Sequence, residues 1–405
     1  MRYILTAMSL ATILISCTEN QNGNEKENAV SSGIKIVASP VGDSCAEPYL
    51  FTDKNGIVYL SWIEKTGKQS TMKFSSFVND KWSDPAVIAS GNNWVVNWAD
   101  YPVISTSGGN NFLAHFLEKT DADKFTYDIK LISSADSGKT WGSSKKLNND
   151  DVKAEHGFVS IIPYKGQFFV CWLDGRKTAS EENHGGHDGH HGEMTLRAAF
   201  IDKNGDKTNE WELDGKVCDC CQTTAAITNE GPVVVYRDRS DDETRDMSIV
   251  RYVNGGWTAP KTIHADNWQI KACPVNGPRA DAIGNHLAVA WFSMKDKQGE
   301  VKVVFSNDGG VTFTDAIHIN EDKPIGRVDI AVIDSSTALV SWMEGSLIKA
   351  AKVHSNGKKE SPVIIASSSE ARSSGFPQMT KAGNSIFFAW TDDKAKTIKT
   401  ASIDL

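Results

Sequence analysis

The sequence predicts an all-β fold, a seven-bladed β-propeller closed by its own N-terminal strand. Three observations carry this. A strand ending in an aromatic residue recurs seven times. Each copy is followed by two further short strands joined by a tight turn. The segment just after the N-terminal leader has the pattern of the one strand that the last copy lacks.

The recurring strands read GIVYLSWIE, NNFLAHFLE, GQFFVCWLD, GPVVVYRD, NHLAVAWFS, STALVSWME and NSIFFAWTD. Their shared aromatics are Trp62, Phe116, Trp172, Tyr236, Trp291, Trp342 and Trp390, at steps of 54, 56, 64, 55, 51 and 48 residues. Periods of this length mark a repeat architecture, and four short antiparallel strands per repeat mark a propeller. The third and fourth strands of the first copy are TMKFSSFVN and PAVIAS; those of the fourth are SIVRYVN and KTIHA. The seventh copy ends at Leu405 after three strands, and GIKIVAS, Gly33 to Ser39, matches the missing fourth. Closing the ring in this way removes an exposed sheet edge. A six-bladed ring is the alternative.

The other segments follow from composition. Arg2 precedes an apolar run from Tyr3 to Ile15, too short to span a bilayer and suited to a secretory leader. LISC, ending at Cys17, resembles a bacterial lipobox, which implies cleavage before Cys17, lipidation of its thiol and a membrane-anchored lipoprotein of the cell envelope. The partner there is the lipid bilayer, through the Cys17 acyl anchor. Residues 17–32 read as a flexible tether and 33–405 as a single propeller domain. A net charge of −8 without a basic cluster argues against nucleic acid as a partner. A monomer is expected.

Two strings share S-x-D-x-G-x-T-aromatic. They are Ser134, Asp136, Gly138, Thr140 and Trp141, and Ser306, Asp308, Gly310, Thr312 and Phe313. Each falls between the third and fourth strands of its copy. Aspartate accepts backbone N–H groups of its own turn and glycine supplies positive φ, so the string is scaffolding. These strings resemble the Asp boxes of the sialidase and related propeller families. That resemblance implies a sialidase-like propeller and makes glycoside hydrolysis of acidic sugars the first enzymatic expectation. Sialidases clamp the sugar carboxylate with three arginines, use a tyrosine activated by a glutamate as nucleophile, and an aspartate as acid/base. Their first arginine precedes Ile-Pro in the first inner strand. Here the place reads CAEPYLF, with Glu47 where the arginine should be. Family members of the classical type have six blades. Both departures count against sialidase chemistry.

Four groups of residues bear chemistry on the face formed by the loops that lead into each inner strand. Six acids and one serine stand two residues beyond the aromatics: Glu64, Glu118, Asp174, Asp238, Ser293, Glu344 and Asp392. Solvated strand ends are the ordinary alternative for these. Cys45, Cys220 and Cys273 each lie eleven residues before a turn glycine, and Cys218 and Cys221 flank Cys220. A thiolate cluster of this kind binds a soft metal such as zinc or copper, and disulfides are the alternative in an exported protein. The insert KTASEENHGGHDGHHGEM adds His184, His187, His190 and His191, a metal-gathering composition. His156 is expected near the same rim as a ligand-binding residue. Arg237, Arg279 and Arg327 form a candidate carboxylate clamp with Asp238 beside it as a catalytic candidate, and Arg279 and Arg327 are expected at matching positions of their inner strands. Salt bridges to Asp238, Asp281 and Asp329 are the alternative. The leading reading is a propeller that binds a metal ion or a glycan on this face. An acidic-sugar hydrolase and an envelope interaction scaffold are the others.

Overall fold

In a computed structural model the described residues, 31, 33–121, 125–178 and 192–405, form seven antiparallel sheets of four or five strands. The inner strands of blades 1 to 7 are Cys45–Thr52, Ile104–Gly108, His156–Tyr164, Thr224–Ile227, Arg279–Ile283, Pro324–Asp334 and Gln378–Ala382. Six of them, together with the loop residues Ala99, Asp100, Tyr101 and Val103 ahead of the blade 2 strand, line one axial cavity of about 360 Å³. The expected aromatic strands are second in every blade. Trp62, Trp172, Trp291 and Trp342 are among the largest fully buried side chains, so the repeat seen in the sequence is the packing between blades. In blade 2 the short pair Trp94–Val95 joins the second strand ahead of the inner strand, and residues 96–103 loop between them.

The N-terminal strand closes the ring. Lys35, Ile36 and Val37 pair antiparallel with Ser402, Ala401 and Thr400 as the fourth strand of blade 7. The expectation of seven blades with this closure therefore holds, and six blades is excluded. The leader, Cys17 and most of the tether lie outside the described residues.

The two repeated strings make the same turn twice. Ser134 ends the third strand of blade 2 (Tyr127–Ser134), and Ser306 ends that of blade 5 (Gln298–Ser306). Asp136 Oδ1 accepts the Thr140 N–H at 2.9 Å and Oδ2 accepts the Thr140 hydroxyl at 2.6 Å; Asp308 and Thr312 repeat both distances. Gly138 has φ +78, and a Cβ there would stand 2.5 Å from the Phe74 ring of blade 1. Trp141 meets that same ring edge-on, so the string ties two blades together.

Candidate functional site

The acid ring is structural. In six of the seven blades the residue paired with the aromatic on the third strand is a cation: Lys73, Lys130, Arg197, Lys302, Lys349 and Lys399. Lys73 binds Glu64, Lys130 binds Glu118, Lys349 binds Glu344 and Lys399 binds Asp392. The indole N–H of Trp172 donates to Asp174 and that of Trp342 to Glu344. Blade 5 has Ser293 in the acid position, and there Trp291 and Lys302 both turn to Asp266 from a neighbouring loop. Glu344 and Asp266 thus each satisfy a buried indole and a cation that would otherwise lack a partner, and Glu64, Glu118 and Asp392 satisfy a cation.

Of the arginines only Arg279 lines the axial cavity. The inner strand of blade 6 carries β-bulges, and the register places Arg279 opposite Ala290 and Asp329 opposite Ser341, each one residue before its blade's aromatic. Asp329, and not Arg327, is therefore the match of Arg279. Arg327 sits in the bulge at φ +54, the conformation Glu47 also adopts in blade 1. It is buried, donating to the Ser374 hydroxyl and to the carbonyls of Glu370 and Ala371. Arg237 is buried as well and donates to the carbonyls of Arg245, Asn276 and Phe292, with its guanidinium over the Trp268 ring. Asp238 accepts the Ser248 hydroxyl, and burial followed by the nearby Asp214 charge raises its carboxyl. The expected three-arginine clamp with Asp238 is corrected: Arg237 and Arg327 staple loops, and Asp238 is packed at the outer end of blade 4. A carboxylate in the bulge layer and a shift of two residues at Arg327 were invisible to a count along the chain.

Around Arg279 the cavity wall is polar and aromatic. Its guanidinium lies over Tyr101 at 5.6 Å, its Nε is 3.9 Å from Asp329, and its Nη2 has no hydrogen-bond partner in the protein. Burial raises the Asp329 carboxyl to about 6 despite that guanidinium. Asp100, also on the wall, is raised to about 8 by burial, although its Oδ1 accepts the Phe158 N–H.

His156 does not join this wall. Its Nδ1 bonds the Tyr127 carbonyl at 3.0 Å and its Nε2 stands 3.3 Å from Asp150 and 3.7 Å from Asp174. Arg176 already pairs with both carboxylates, at 3.2 and 2.7 Å, which makes the group a buried ion network at the lead-in to blade 3. The rim expected for His156 as a ligand residue is replaced by this network.

The cysteines do converge. Cys218, Cys220 and Cys221, in the loop that leads into blade 4, hold their sulfurs within 4.8 Å of one another, and Cys218 and Cys221 are 3.6 Å apart. Cys273, from the loop that leads into blade 5, comes close enough to Cys220 to perturb its thiol. All four are free thiols. A tetrahedral ion with metal–sulfur bonds of about 2.3 Å sets its sulfurs about 3.8 Å apart, so the spacing suits a metal. Cys45 stands elsewhere, in blade 1, against Asp43 and Glu64; the equal spacing from a turn glycine did not bring it to the cluster.

The surroundings of the cluster are cationic. Arg245, nearly fully buried, donates from Nη1 to the Cys218 sulfur at 3.2 Å and from Nη2 to Glu243 at 2.9 Å. Burial opposes ionisation of Cys218, yet bonds from Cys220 and Cys221 and the charges of Arg245 and Arg237 hold its thiol well below the usual range. Burial, with Cys218 beside it, pushes Cys221 up to about 12. The Arg237 staple has its place here. By gripping the Arg245 and Asn276 carbonyls it ties the arginine loop to the loop that carries Cys273. In the sequence Arg245 stands with Arg237 and Arg239 among the candidate carboxylate-binding arginines, and its partnership with Cys218 leaves no mark there beyond its place in the loop after an aromatic strand, twenty-four residues beyond Cys221.

His184, His187, His190 and His191 lie outside the described residues. The chain that returns from their insert is placed, however. Met194 accepts the Val217 N–H at 2.9 Å and Glu193 pairs with Lys216 at 3.1 Å, directly before Cys218.

Fold and face together define a seven-bladed propeller of the sialidase type, with its loops gathered at one end around thiols. The chain belongs to the BNR repeat-like domain family, whose sequence pattern matches residues 64–388. It is similar in fold to the polysaccharide lyase Uly1, at a TM-score of 0.53 and 10% identity over 89% of this chain and 90% of that one. It is also similar to the Hadza microbial sialidase Hz136, at a TM-score of 0.44 and 13% identity, covering 74% of this chain and 63% of that one. The chain thus spans less than two thirds of that sialidase. The K499G mutant of the NanB sialidase from Streptococcus pneumoniae is similar at a TM-score of 0.45 and 13% identity, over 93% of this chain and 71% of that one. No curated protein matches the sequence.

Proposed function

We propose that this protein is an exported, lipid-anchored propeller that binds a soft metal ion, zinc or copper, at the cluster of Cys218, Cys220 and Cys221 beside Cys273. The carrying observation is the meeting of three thiols of one loop beside a buried arginine that favours the thiolate form. The chain that follows the histidine insert is held beside Val217, next to Cys218. The acyl anchor on Cys17 and the tether keep the propeller at the envelope membrane. The test is elemental analysis of protein purified under reducing conditions without a histidine tag. Close to one zinc or copper per chain is expected, and none in C218S. Metal well below one per chain in the wild type, with the thiols recovered as disulfides, overturns the reading.

A second reading rests on Arg279. A guanidinium nitrogen without a protein partner, facing a cavity walled by Tyr49, Tyr101 and Asp329, suits the carboxylate of an acidic sugar. Uly1 is named a polysaccharide lyase, and Hz136 a sialidase. Release of sialic acid from a fluorogenic glycoside, or of unsaturated products from a uronate polysaccharide, supports it. No turnover of either at high protein concentration ends it.

A further inference from the structure

The four thiols are not equivalent. Cys218 and Cys221 are 1% and 2% exposed, Cys220 is half-buried and Cys273 is exposed. Three of the sulfurs lie mutually within 4.8 Å; Cys273 approaches Cys220 but stands outside that mutual set. A structural zinc site closes four protein ligands tetrahedrally about the ion and keeps solvent out. This cluster instead offers three thiolates and, on the solvent side of one of them, a fourth thiol. Three sulfurs without a fourth in the same shell is a coordination that monovalent copper accepts and structural zinc does not favour.

The elements around the cluster agree. Its inner side is closed by the Arg245 guanidinium, which bonds the Cys218 sulfur and offers a metal no lone pair. The described residues provide no imidazole or carboxylate within the mutual set. Addition and loss of the ion must therefore pass over Cys220 toward Cys273.

Resting on the reading of this face as a soft-metal site, we propose that it is a copper(I) exchange site. Cys218, Cys220 and Cys221 hold the ion, and Cys273 is the thiol through which it passes to and from a thiolate-bearing carrier. The exchange is a sequence of ligand substitutions. The Cys273 sulfur bonds the incoming copper as the bond to the carrier sulfur breaks. Cys220 then bonds the ion, Cys218 and Cys221 complete the set, and Cys273 is released. Copper stays monovalent throughout; the departing carrier sulfur and the departing Cys273 each take up a proton, and the remaining protons lost by the entering thiols pass to water. Such substitutions proceed by thiolate attack, so an accessible thiol at the outer step governs their rate.

The experiment loads the reduced full-length protein with copper(I) or with zinc, then follows transfer to excess glutathione as the acceptor. Wild-type protein is expected to bind one copper(I) per chain with three sulfur neighbours by X-ray absorption, and to prefer it over zinc. C273S is expected to keep one copper(I) per chain and to transfer it about tenfold more slowly. Loss of copper from C273S shows Cys273 to be a permanent ligand and overturns the proposal. An unchanged transfer rate, or zinc bound in preference with four sulfur neighbours, also overturns it. Alkylation of Cys273 in folded wild-type protein provides the same block without a substitution and is expected to slow transfer alike. If wild-type protein binds neither ion, the reading of the face as a metal site fails first, a result separate from a failure of the relay.

Discussion

Arg245 places Nη1 3.2 Å from the sulfur of Cys218, with both side chains almost wholly removed from solvent. A guanidinium at that distance stabilises a thiolate and leaves a thiol little reason to stay protonated. Replacing it with glutamine is expected to lower metal affinity by about 10–100-fold, the range for a partner that tunes a ligand from outside the coordination sphere. Competition against a chromophoric chelator measures this. The pH dependence has a definite sign. Cys218 is lowered in the folded state, so its contribution to stability is full above 9.0 and fades as pH falls through its lowered value. In R245Q the fade begins nearer 9.0, which the pH profile of alkylation will show.

Asp100 carries the opposite sign. Burial raises it from 3.8 to about 8. Its contribution is complete below 3.8, where both states are protonated, and is lost as pH rises through about 8. D100N removes the ionisation while its side-chain oxygen still accepts the Phe158 N–H. It is expected to gain on the order of 2–4 kcal/mol near neutral pH and little near pH 4. Urea unfolding at the two pH values checks it.

Asp308 binds its own turn through the Val311 and Thr312 N–H groups and the Thr312 hydroxyl. D308A is expected to cost about 1–2 kcal/mol and to leave metal content unchanged, since the turn lies at the opposite end of blade 5 from the cysteines. Thermal unfolding and elemental analysis of one preparation test both halves.

Removing the chain up to Val37 strips the fourth strand from blade 7. The strand is short and Ile36 is largely exposed, while its pairing to residues 400–402 and the packing of Ile34 are lost. A loss of about 2 kcal/mol and a fall in melting temperature of about 2–5 °C are expected. An unchanged melting temperature would show that closure contributes nothing.

Arg279 holds Asp329 down against burial, and the carboxyl stands at about 6 with that guanidinium in place. R279Q is expected to move that titration above 6. Carbon-13 NMR of labelled aspartate carboxyls, compared between the two proteins, reads it directly.

The blades were legible in the sequence because a blade is built from neighbours. Alternation, turn glycines and an aromatic every fifty residues or so record contacts within one strand pair or between adjacent blades, and the S-x-D-x-G-x-T turn closes on itself within a few residues. The acid ring was legible as a pattern but not as a function. Its meaning lies in the lysine or arginine opposite each aromatic, at sequence distances that vary with the loop between strands. The cysteine cluster was half legible. Cys218, Cys220 and Cys221 are local, whereas the spacing that seemed to add Cys45 reflected the repeat alone.

By itself, then, the amino-acid order determined seven blades and the turns that join them, because hydrogen bonds and hydrophobic periodicity act there between residues close along the chain, and it marked the closing strand because Lys35–Val37 carries the pattern of the fourth strand that the last repeat lacks. Only the tertiary structure decided which side chains meet at the end of the ring. It set Asp329 against Arg279, buried Arg237 and Arg327 as staples, and brought Arg245 to Cys218. Those meetings depend on bulges that shift register and on loops from different blades that converge in space, and neither leaves a periodic mark on the sequence.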